Sequence, residues 1–368
     1  MTQCTAPRKF VRCAIRHTVH ARLLAAALTS LGPAHAQPEP LAQPTQQLRI
    51  VGGLAGLNQY VRHEEPFWTT ELPRLSGGRL QAEIMPFDRA GIRAQEMLRL
   101  MGLGVVPFGT ALLSASVAEM PIVAAPDLAG LNPDMASLRR TVAAFRPHLE
   151  SALKQRYGIE VLAVYTYPAQ VVFCKQAFKG LDGLAGRRVR VSNPSMADLV
   201  RALGAEPVQT GFADIMAQMR GGNLDCAITG TMSGNTIGLP DVTGHLHSMA
   251  LSWGLGVFGA NGAAWKALGA ENQALLRREL PRLEAAIWAE SDRESLEGLT
   301  CNTGGAACRS GKRGQMQQVQ ASPADEKRRR LLFAQTVLPK WLLRCGPECA
   351  EVWNRSIGPA AVIEARAP

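Results

Sequence analysis

Hydrophobic and polar positions alternate along the first part of the chain in patterns that predict strands and helices in turn. Residues 48–53 form a short apolar run closed by two glycines, which predicts a strand, and the apolar positions within 67–75 predict a helix. A strand over 80–85 and an amphipathic segment over 92–101 follow. This alternation predicts an α/β protein whose mostly parallel sheet is covered by helices on both faces.

The same alternation recurs later and predicts a second unit of similar length. A strand over 187–191 is followed by apolar residues at i, i+3, i+4 and i+7 in a helix that begins near Met196. Another helix and a strand over 224–229 complete the unit. Two such units predict two lobes with mixed sheets and a cleft between them, which is a common place for a small ligand to bind.

The pattern also gives the predicted domain boundaries. The first lobe covers 48–168, with part of 258–368 packing back onto it, and the second lobe covers 169–257. A long helix over 270–300 is predicted to connect the lobes, because its leucines recur on one face. A cysteine-containing helical tail over 301–368 follows it.

The N-terminal segment differs from the rest of the chain. It carries five basic residues and no acid, then an apolar run over 23–31, then an Ala-His-Ala sequence that ends at Ala36. This order is typical of a secretory signal peptide, so we expect residues 1–36 to be removed during export. The apolar run is too short to span a bilayer.

The charge of the chain has to be corrected for this segment. The formal net charge is +10, and the five basic residues of the segment leave +5 for the mature protein. Arginines are spread along the sequence, and aromatic residues make up only 5% of it. These features argue against a nucleic-acid-binding protein, which concentrates its basic residues on one face.

The cysteines of the mature chain fall into two groups. Cys174 and Cys226 lie inside apolar runs and are interpreted as small buried side chains. The tail holds two close pairs, Cys301 with Cys308 and Cys345 with Cys349. In an exported protein, local pairing would close two small disulfide loops. Zinc binding is the alternative, although no C-x-x-C spacing and no nearby histidine support it.

Motifs for catalysis are scarce. The chain contains neither a G-x-S-x-G nucleophile elbow nor a phosphate-binding loop, and we predict no cofactor. His245 and His247 would share a face of a strand, which leaves a metal-dependent exported enzyme as an alternative. No third ligand is evident near them in the sequence.

The sequence GRRVRVSNP, residues 186–194, contains the clearest candidate for a binding site. On a strand, Arg188 and Arg190 share one face and the two valines the other, so one face is apolar and one cationic. Asn193 and the proline after it predict a helix N-terminus immediately beyond the strand. An arginine close to such a helix N-terminus suits a carboxylate or a phosphate. A solvated strand edge with an ordinary helix cap is the alternative.

A longer segment carries a family resemblance. The sequence GLDGLAGRRVRVSNPSMADLVRALGAEPVQTGFADIMAQMRGGNLDCAIT resembles the core of DctP-like solute-binding proteins of tripartite ATP-independent periplasmic (TRAP) transporters, and the similarity extends over about 48–299. The resemblance implies a two-lobed periplasmic-binding-protein fold without enzyme activity. It also implies that the protein captures an organic acid in the periplasm and delivers it to the permease subunits in the membrane. A periplasmic sensory domain would share the same site.

The resemblance also assigns roles to individual residues. Arg190 matches the arginine that clamps the ligand carboxylate, and Gln170 stands where many members carry a second arginine. The implied ligand-binding residues are Arg190, Asn193, Gln170, Phe212, Thr229 and Trp253. Packing in the core is the alternative for Phe212 and for Trp253. With one arginine in the site, a medium-sized, partly apolar monocarboxylate is expected, and not a small dicarboxylate.

Overall fold

The structure is a computed structural model that describes residues 45–366, so the predicted signal peptide lies outside the described residues. The strands are β1 (Gln46–Gly52), β2 (Leu80–Pro86), β3 (Phe108–Leu112), β4 (Ile159–Thr166), β5 (Gln170–Cys174), β6 (Arg188–Val191), β7 (Glu206–Gln209), β8 (Cys226–Gly230), β9 (His245–His247), β10 (Leu255–Asn261) and β11 (Gln317–Val319). They form two separate sheets.

Helices connect and cover these strands. The α-helices are α1 (Leu72–Leu75), α2 (Met97–Gly102), α3 (Leu113–Ser116), α4 (Met135–Tyr157), α5 (Pro194–Ala202), α6 (Ile215–Arg220), α7 (Thr231–Thr236), α8 (Gly262–Ala267), α9 (Gly269–Asn302), α10 (Pro323–Leu332), α11 (Leu338–Cys345), α12 (Pro347–Arg355) and α13 (Ile357–Ala361). Short π-helical turns cover Gln59–Glu64, Phe67–Glu71 and Phe333–Val337, and 3-10 turns cover Ala94–Glu96, Pro121–Asp127, Leu181–Leu184 and Leu239–Asp241. No helix within residues 45–366 has both the length and the apolar character needed to cross a membrane.

The first sheet has the strand order β2-β1-β3-β10-β4. Strand β1 runs parallel to β2 and β3, whereas β10 runs antiparallel to β3 and β4. Burial alternates along β1, so that Leu48 and Ile50 face the core and Arg49 faces solvent. One side of the sheet packs on a core that includes Trp68 and Phe258. We call this sheet with its helices the first lobe.

The second sheet has the order β11-β9-β5-β8-β6-β7. Strand β6 runs parallel to β7 and β8, and β5 runs antiparallel to β8 and β9. The two valines of β6 are fully buried, as the alternation in the sequence predicts. This sheet with its helices is the second lobe. The two mixed sheets with their helices confirm the predicted α/β class.

The chain passes between the two sheets at segments 167–169 and 248–254, and helix α9 contacts elements of both lobes. Ser291 of α9 donates to the Thr166 carbonyl of the first lobe, at 2.7 Å. Further along the helix, a Cβ on Gly298 would lie only 2.4 Å from the backbone nitrogen of Met232, so a glycine is required for this close approach to α7. The helix continues through Pro281 without interruption.

The interpretation of Cys174 and Cys226 as unpaired buried side chains is wrong. They lie directly opposite each other on the antiparallel strands β5 and β8, and they form a disulfide. The two residues are 52 positions apart, so only the pairing of the strands brings them together. In the tail, the structure joins two nearer pairs: Cys301 to Cys308 and Cys345 to Cys349.

Candidate ligand-binding site

A small cavity lies between the two lobes, beside the segments that connect the sheets. Its apolar lining includes Leu54, Leu57, Leu112, Phe212 and Leu255. Its polar lining includes Tyr167, Gln170, Arg190, Ser192, Thr229 and Ser233. The volume is about 70 Å³, well below the roughly 300–1,000 Å³ typical of sites for drug-sized ligands. We call this space the cleft cavity.

The topology explains why these residues meet. Strands β1, β6 and β8 each end at the cleft cavity, so the residues at their carboxyl ends line it. Arg190 and Ser192 come from the end of β6, and Thr229 from the end of β8. Ligands of open α/β sheets bind at the carboxyl ends of the strands, beside loops that have room to vary.

Arg190 is the main charged group of the cleft cavity. Its Nε donates to the Thr210 carbonyl at 2.9 Å and its Nη1 to the Ile228 carbonyl at 2.8 Å. Burial lowers the pKa of Arg190 to about 10, so the guanidinium keeps its charge at neutral pH. Among residues 45–366, Arg190 forms no ion pair with an Asp or a Glu. The site therefore holds a fixed, uncompensated positive charge.

The two neighbouring arginines have partners within the protein. Arg188 forms a bidentate pair with Asp225, at 3.0 Å from Nε and 2.7 Å from Nη2. Arg187 donates to the carbonyls of Gln176 and Ala177. Of the three arginines in the GRRVRVSNP sequence, only Arg190 lines the cleft cavity.

Four of the six residues predicted from the family resemblance meet at the cleft cavity: Arg190, Gln170, Phe212 and Thr229. Gln170 donates from Nε2 to the Trp253 carbonyl at 3.1 Å, which fixes the orientation of its amide. Phe212 is half-buried. Its side chain both lines the cleft cavity and packs on the core of the second lobe.

The other two predicted residues, Asn193 and Trp253, do not line the cleft cavity. Asn193 caps helix α5, because its Oδ1 accepts from the Met196 backbone at 3.1 Å. Trp253 is buried, and its indole donates to the Asn132 carbonyl at 3.1 Å. Both residues position cavity residues: Asn193 orders the turn after Ser192, and the carbonyl of Trp253 holds Gln170.

A scan against protein-family models matches residues 60–306 to the bacterial extracellular solute-binding protein family 7, DctP. The chain belongs to this family. The match confirms the resemblance to TRAP solute-binding proteins, since it covers more than half of the sequence. The search of curated proteins found no match to this DctP-family chain.

Solved structures of other solute-binding proteins share the fold. The Bordetella pertussis receptor DctP7, which binds pyroglutamic acid, has a TM-score of 0.74 and 18% identity, with 84% of this chain and 99% of the receptor covered. A Desulfovibrio salexigens TRAP protein with bound orotic acid has a TM-score of 0.75 and 14% identity, covering 86% and 99%. A Rhodoferax ferrireducens protein with bound malonate has a TM-score of 0.73 and 17% identity, covering 83% and 96%. At such identities, the similarity establishes the two-lobed fold.

Sequence reasoning missed several cavity residues of this DctP-family protein. Tyr167 lies in the segment that leaves the first sheet, and its sequence context gives no sign of a ligand site. Leu54 and Leu57 follow the glycines at the end of β1. The position of those glycines after a parallel strand is the one signal that could have pointed to these leucines. Ser192 directly follows the predicted strand 187–191, so its place at the carboxyl end of a strand could also have indicated a position at the site.

Two buried carboxyl groups support the walls of the cleft cavity. Glu64 is fully buried and its Oε2 accepts from the Gly53 backbone and from Thr110, each at 3.0 Å. Burial raises the pKa of Glu64 to about 7. Asp127 accepts from the backbone nitrogen of Gly254 at 2.7 Å, and burial raises its pKa to about 6. Asp127 thereby holds the segment that returns from the second lobe.

His247, one of the two histidines considered as metal ligands, has other partners in the structure. His247 is fully buried, and its Nδ1 accepts from the Met249 backbone at 3.1 Å. Its Nε2 lies 3.6 Å from Asp325, and burial lowers its pKa. Within residues 45–366, no group of three or more His, Cys, Asp or Glu residues has the arrangement of a metal site.

Proposed function

We propose that this DctP-family protein is a periplasmic receptor that binds a small organic monocarboxylate between its two lobes and delivers it to the membrane subunits of a TRAP transporter. Arg190 pairs with the carboxylate. The receptor binds its ligand without chemical change. The observation that carries the proposal is the buried, unpaired guanidinium of Arg190 at the cleft cavity.

An unpaired buried cation is unfavourable because it has lost its hydration without gaining an anion. A ligand carboxylate at Arg190 supplies that anion and accepts charge-assisted hydrogen bonds from the N–H groups that the Thr210 and Ile228 carbonyls leave free. The hydroxyl groups of Ser192 and Thr229, on the same wall, can donate to the same carboxylate. Binding energy is thus concentrated on the second lobe.

The opposite wall suits the body of the ligand. Leu54, Leu57 and Leu112 of the first lobe, with Phe212 of the second, form an apolar surface. Arg190 is the one Lys, Arg or His residue that lines the cavity within residues 45–366, so a second carboxylate would have no cationic partner. The small volume favours a ligand smaller than the medium-sized acid expected from the sequence. Two of the similar solved proteins bind acids with one carboxylate, pyroglutamic acid and orotic acid, which supports this class of ligand, whereas a third binds the dicarboxylate malonate.

Capture requires that the lobes move relative to each other. We place the hinge at the segments 167–169 and 248–254, where the chain crosses between the sheets. The first segment lies at the predicted boundary between 48–168 and 169–257, whereas the second lies before the predicted end at 257, because β10 of the first sheet begins at Leu255. Closure brings the leucines of the first lobe onto a ligand held at Arg190. The predicted signal peptide 1–36 and the family membership support a location in the periplasm.

The test compares two arginines on one strand. Purified protein is titrated calorimetrically with lactate, 2-hydroxyisovalerate and a five-membered lactam carboxylate, and the bound compound is then recovered and identified by mass spectrometry. Arg190→Met should weaken binding about 100-fold or more, because the carboxylate loses its buried partner. Arg188→Met is the matched control, since its guanidinium pairs with Asp225. Equal affinity in the wild type and Arg190→Met would disprove the proposal, as would recovery of a chemically altered acid.

A further inference from the structure

Two buried polar atoms on residues that line the cleft cavity lack a hydrogen-bond partner among residues 45–366. They are Oε1 of Gln170 and the hydroxyl oxygen of Tyr167. A buried acceptor without a donor costs about 1–3 kcal/mol, so such atoms are rare in folded proteins and call for an explanation. Both residues line the same cavity as Arg190, so a molecule bound there can supply the missing partner.

The amide of Gln170 cannot turn to satisfy itself. Its Nε2 faces the Trp253 carbonyl, which can only accept, so the other amide atom must be the oxygen. The backbone is fixed as well, because Gln170 donates to the Ser252 carbonyl at 2.8 Å and accepts from Leu251 at 2.9 Å. Gly254 leaves the space for this arrangement, since a Cβ there would lie 2.9 Å from Nε2. Oε1 is therefore a rigid acceptor.

Tyr167 lies three positions before Gln170 and also lines the cleft cavity, with its hydroxyl oxygen near Gly53, where a Cβ would lie 3.1 Å from that oxygen. Its side chain is more than nine-tenths buried. Burial raises the pKa of Tyr167 well above its usual value, so the phenol stays neutral and can donate or accept. The two residues offer an acceptor and an adaptable hydroxyl group to one ligand.

We propose that the ligand carries a neutral hydrogen-bond donor, an N–H or O–H group, which binds Oε1 of Gln170 while its single carboxylate binds Arg190. This inference rests on the proposed function. It selects hydroxy acids and lactam acids over unsubstituted acids of the same shape. It disfavours zwitterionic amino acids, because no Asp or Glu within residues 45–366 lines the cavity to pair with their ammonium group.

The experiment measures the affinity of the wild-type protein for matched pairs of acids. One pair is 2-hydroxyisovalerate and isovalerate. The other is the five-membered lactam carboxylate and the cyclopentanone carboxylate in which a CH₂ group replaces the N–H. In at least one pair, the acid with the donor should bind about 10- to 100-fold more tightly. Equal affinity within the pairs would overturn this inference while leaving the carboxylate receptor intact. Failure of every acid to bind would overturn both proposals.

Variants then test whether Oε1 of Gln170 causes the preference for the acid with a hydrogen-bond donor. In Gln170→Met, the two acids of the pair for which the wild type shows a preference should bind with affinities within about threefold of each other, whatever the absolute affinities are. If this variant does not fold, Tyr167→Phe provides the second test, and the ratio of the two affinities should fall at least about threefold. A ratio that stays at the wild-type value in a folded Gln170→Met protein would exclude Gln170 as the recognition group. Arg190→Met should lose both acids of the pair.

Discussion

Arg190 in the cleft and Arg329 in the tail are two arginines with almost the same burial and different surroundings. Their exposed fractions are 4% and 3%. Each donates to two backbone carbonyls, Arg190 to Thr210 and Ile228, and Arg329 to carbonyls of the 130–131 segment. Only Arg329 also has an acid, because Glu326 accepts from its Nε at 2.8 Å and its Nη2 at 2.6 Å.

The difference shows how a structural arginine and a binding arginine can be told apart. Glu326 lies one helical turn before Arg329 on α10, so local spacing supplies the counterion. Arg190 lies on a strand with buried valines on either side, and the nearby carboxylate of Asp225 is bound to Arg188. The fold neutralises the charge of Arg329 internally and leaves the charge of Arg190 available to a ligand.

The largest expected effect comes from introducing a carboxylate into the cleft cavity as an ion-pair partner for Arg190. Thr229→Asp places a carboxylate on the same wall of the cleft cavity, where it competes with the ligand for the guanidinium. Affinity for an organic acid should fall about 100- to 1,000-fold in calorimetric titrations, because an ion pair inside the protein replaces the ligand. Thr229→Asn has nearly the same shape without the charge and should lose much less. Similar losses in both variants would show that Arg190 is not the electrostatic partner.

Glu64 is another buried ionisable side chain without an ion-pair partner among residues 45–366, and it responds through its protonation. Its pKa of about 7 in the folded state is above the usual value of 4.5, so folding favours the protonated form. The resulting stability is complete below about pH 4.5 and is lost as the pH rises towards 7, which amounts to about 3 kcal/mol.

Glu64→Gln should remove this dependence. In urea unfolding, the free energy of unfolding of Glu64→Gln relative to wild type should rise by about 3 kcal/mol between pH 4.5 and pH 8. The exposed Glu71→Gln variant is the control. A difference between Glu64→Gln and wild type that is constant over this pH range would show that Glu64 does not titrate as a buried carboxyl group.

Removing the carboxylate of Glu326 should leave Arg329, like Arg190, as a buried arginine without this ion pair. Glu326→Gln leaves a buried guanidinium with backbone carbonyls as its acceptors, which should lower the free energy of unfolding by about 2 kcal/mol. Glu351→Gln tests an Arg–Glu pair on the exposed surface of α12, where the loss should stay below about 0.5 kcal/mol. Equal losses measured by urea unfolding would mean that burial does not distinguish the two pairs.

The smallest effect is expected for the stability of Arg190→Met. The substitution removes two hydrogen bonds to carbonyls but also removes an uncompensated buried charge, so the two contributions oppose each other. We expect the free energy of unfolding without ligand to change by less than about 1 kcal/mol. A loss of several kcal/mol in ligand-free protein would identify Arg190 as a structural residue like Arg329.

Local sequence patterns were sufficient for the elements around the site. The alternation in GRRVRVSNP predicts both the buried valines of β6 and the cap that Asn193 places on α5, because side-chain direction and capping depend on neighbours in sequence. The same segment carried the family resemblance that the comparison confirms. Fold class and the candidate arginine therefore followed from the sequence.

Contacts between distant residues were decided only by the tertiary structure. The pairing of β5 with β8 joins Cys174 to Cys226. In the segment 248–254, the Trp253 carbonyl accepts from Gln170, and the Trp253 ring lies in the core. Whether a buried charged side chain has an ion-pair partner depends on which residues the fold brings to it from elsewhere in the chain. Local spacing fixes helices, strands and caps, whereas unpaired groups such as Arg190 and Oε1 of Gln170 result from packing between elements far apart in sequence.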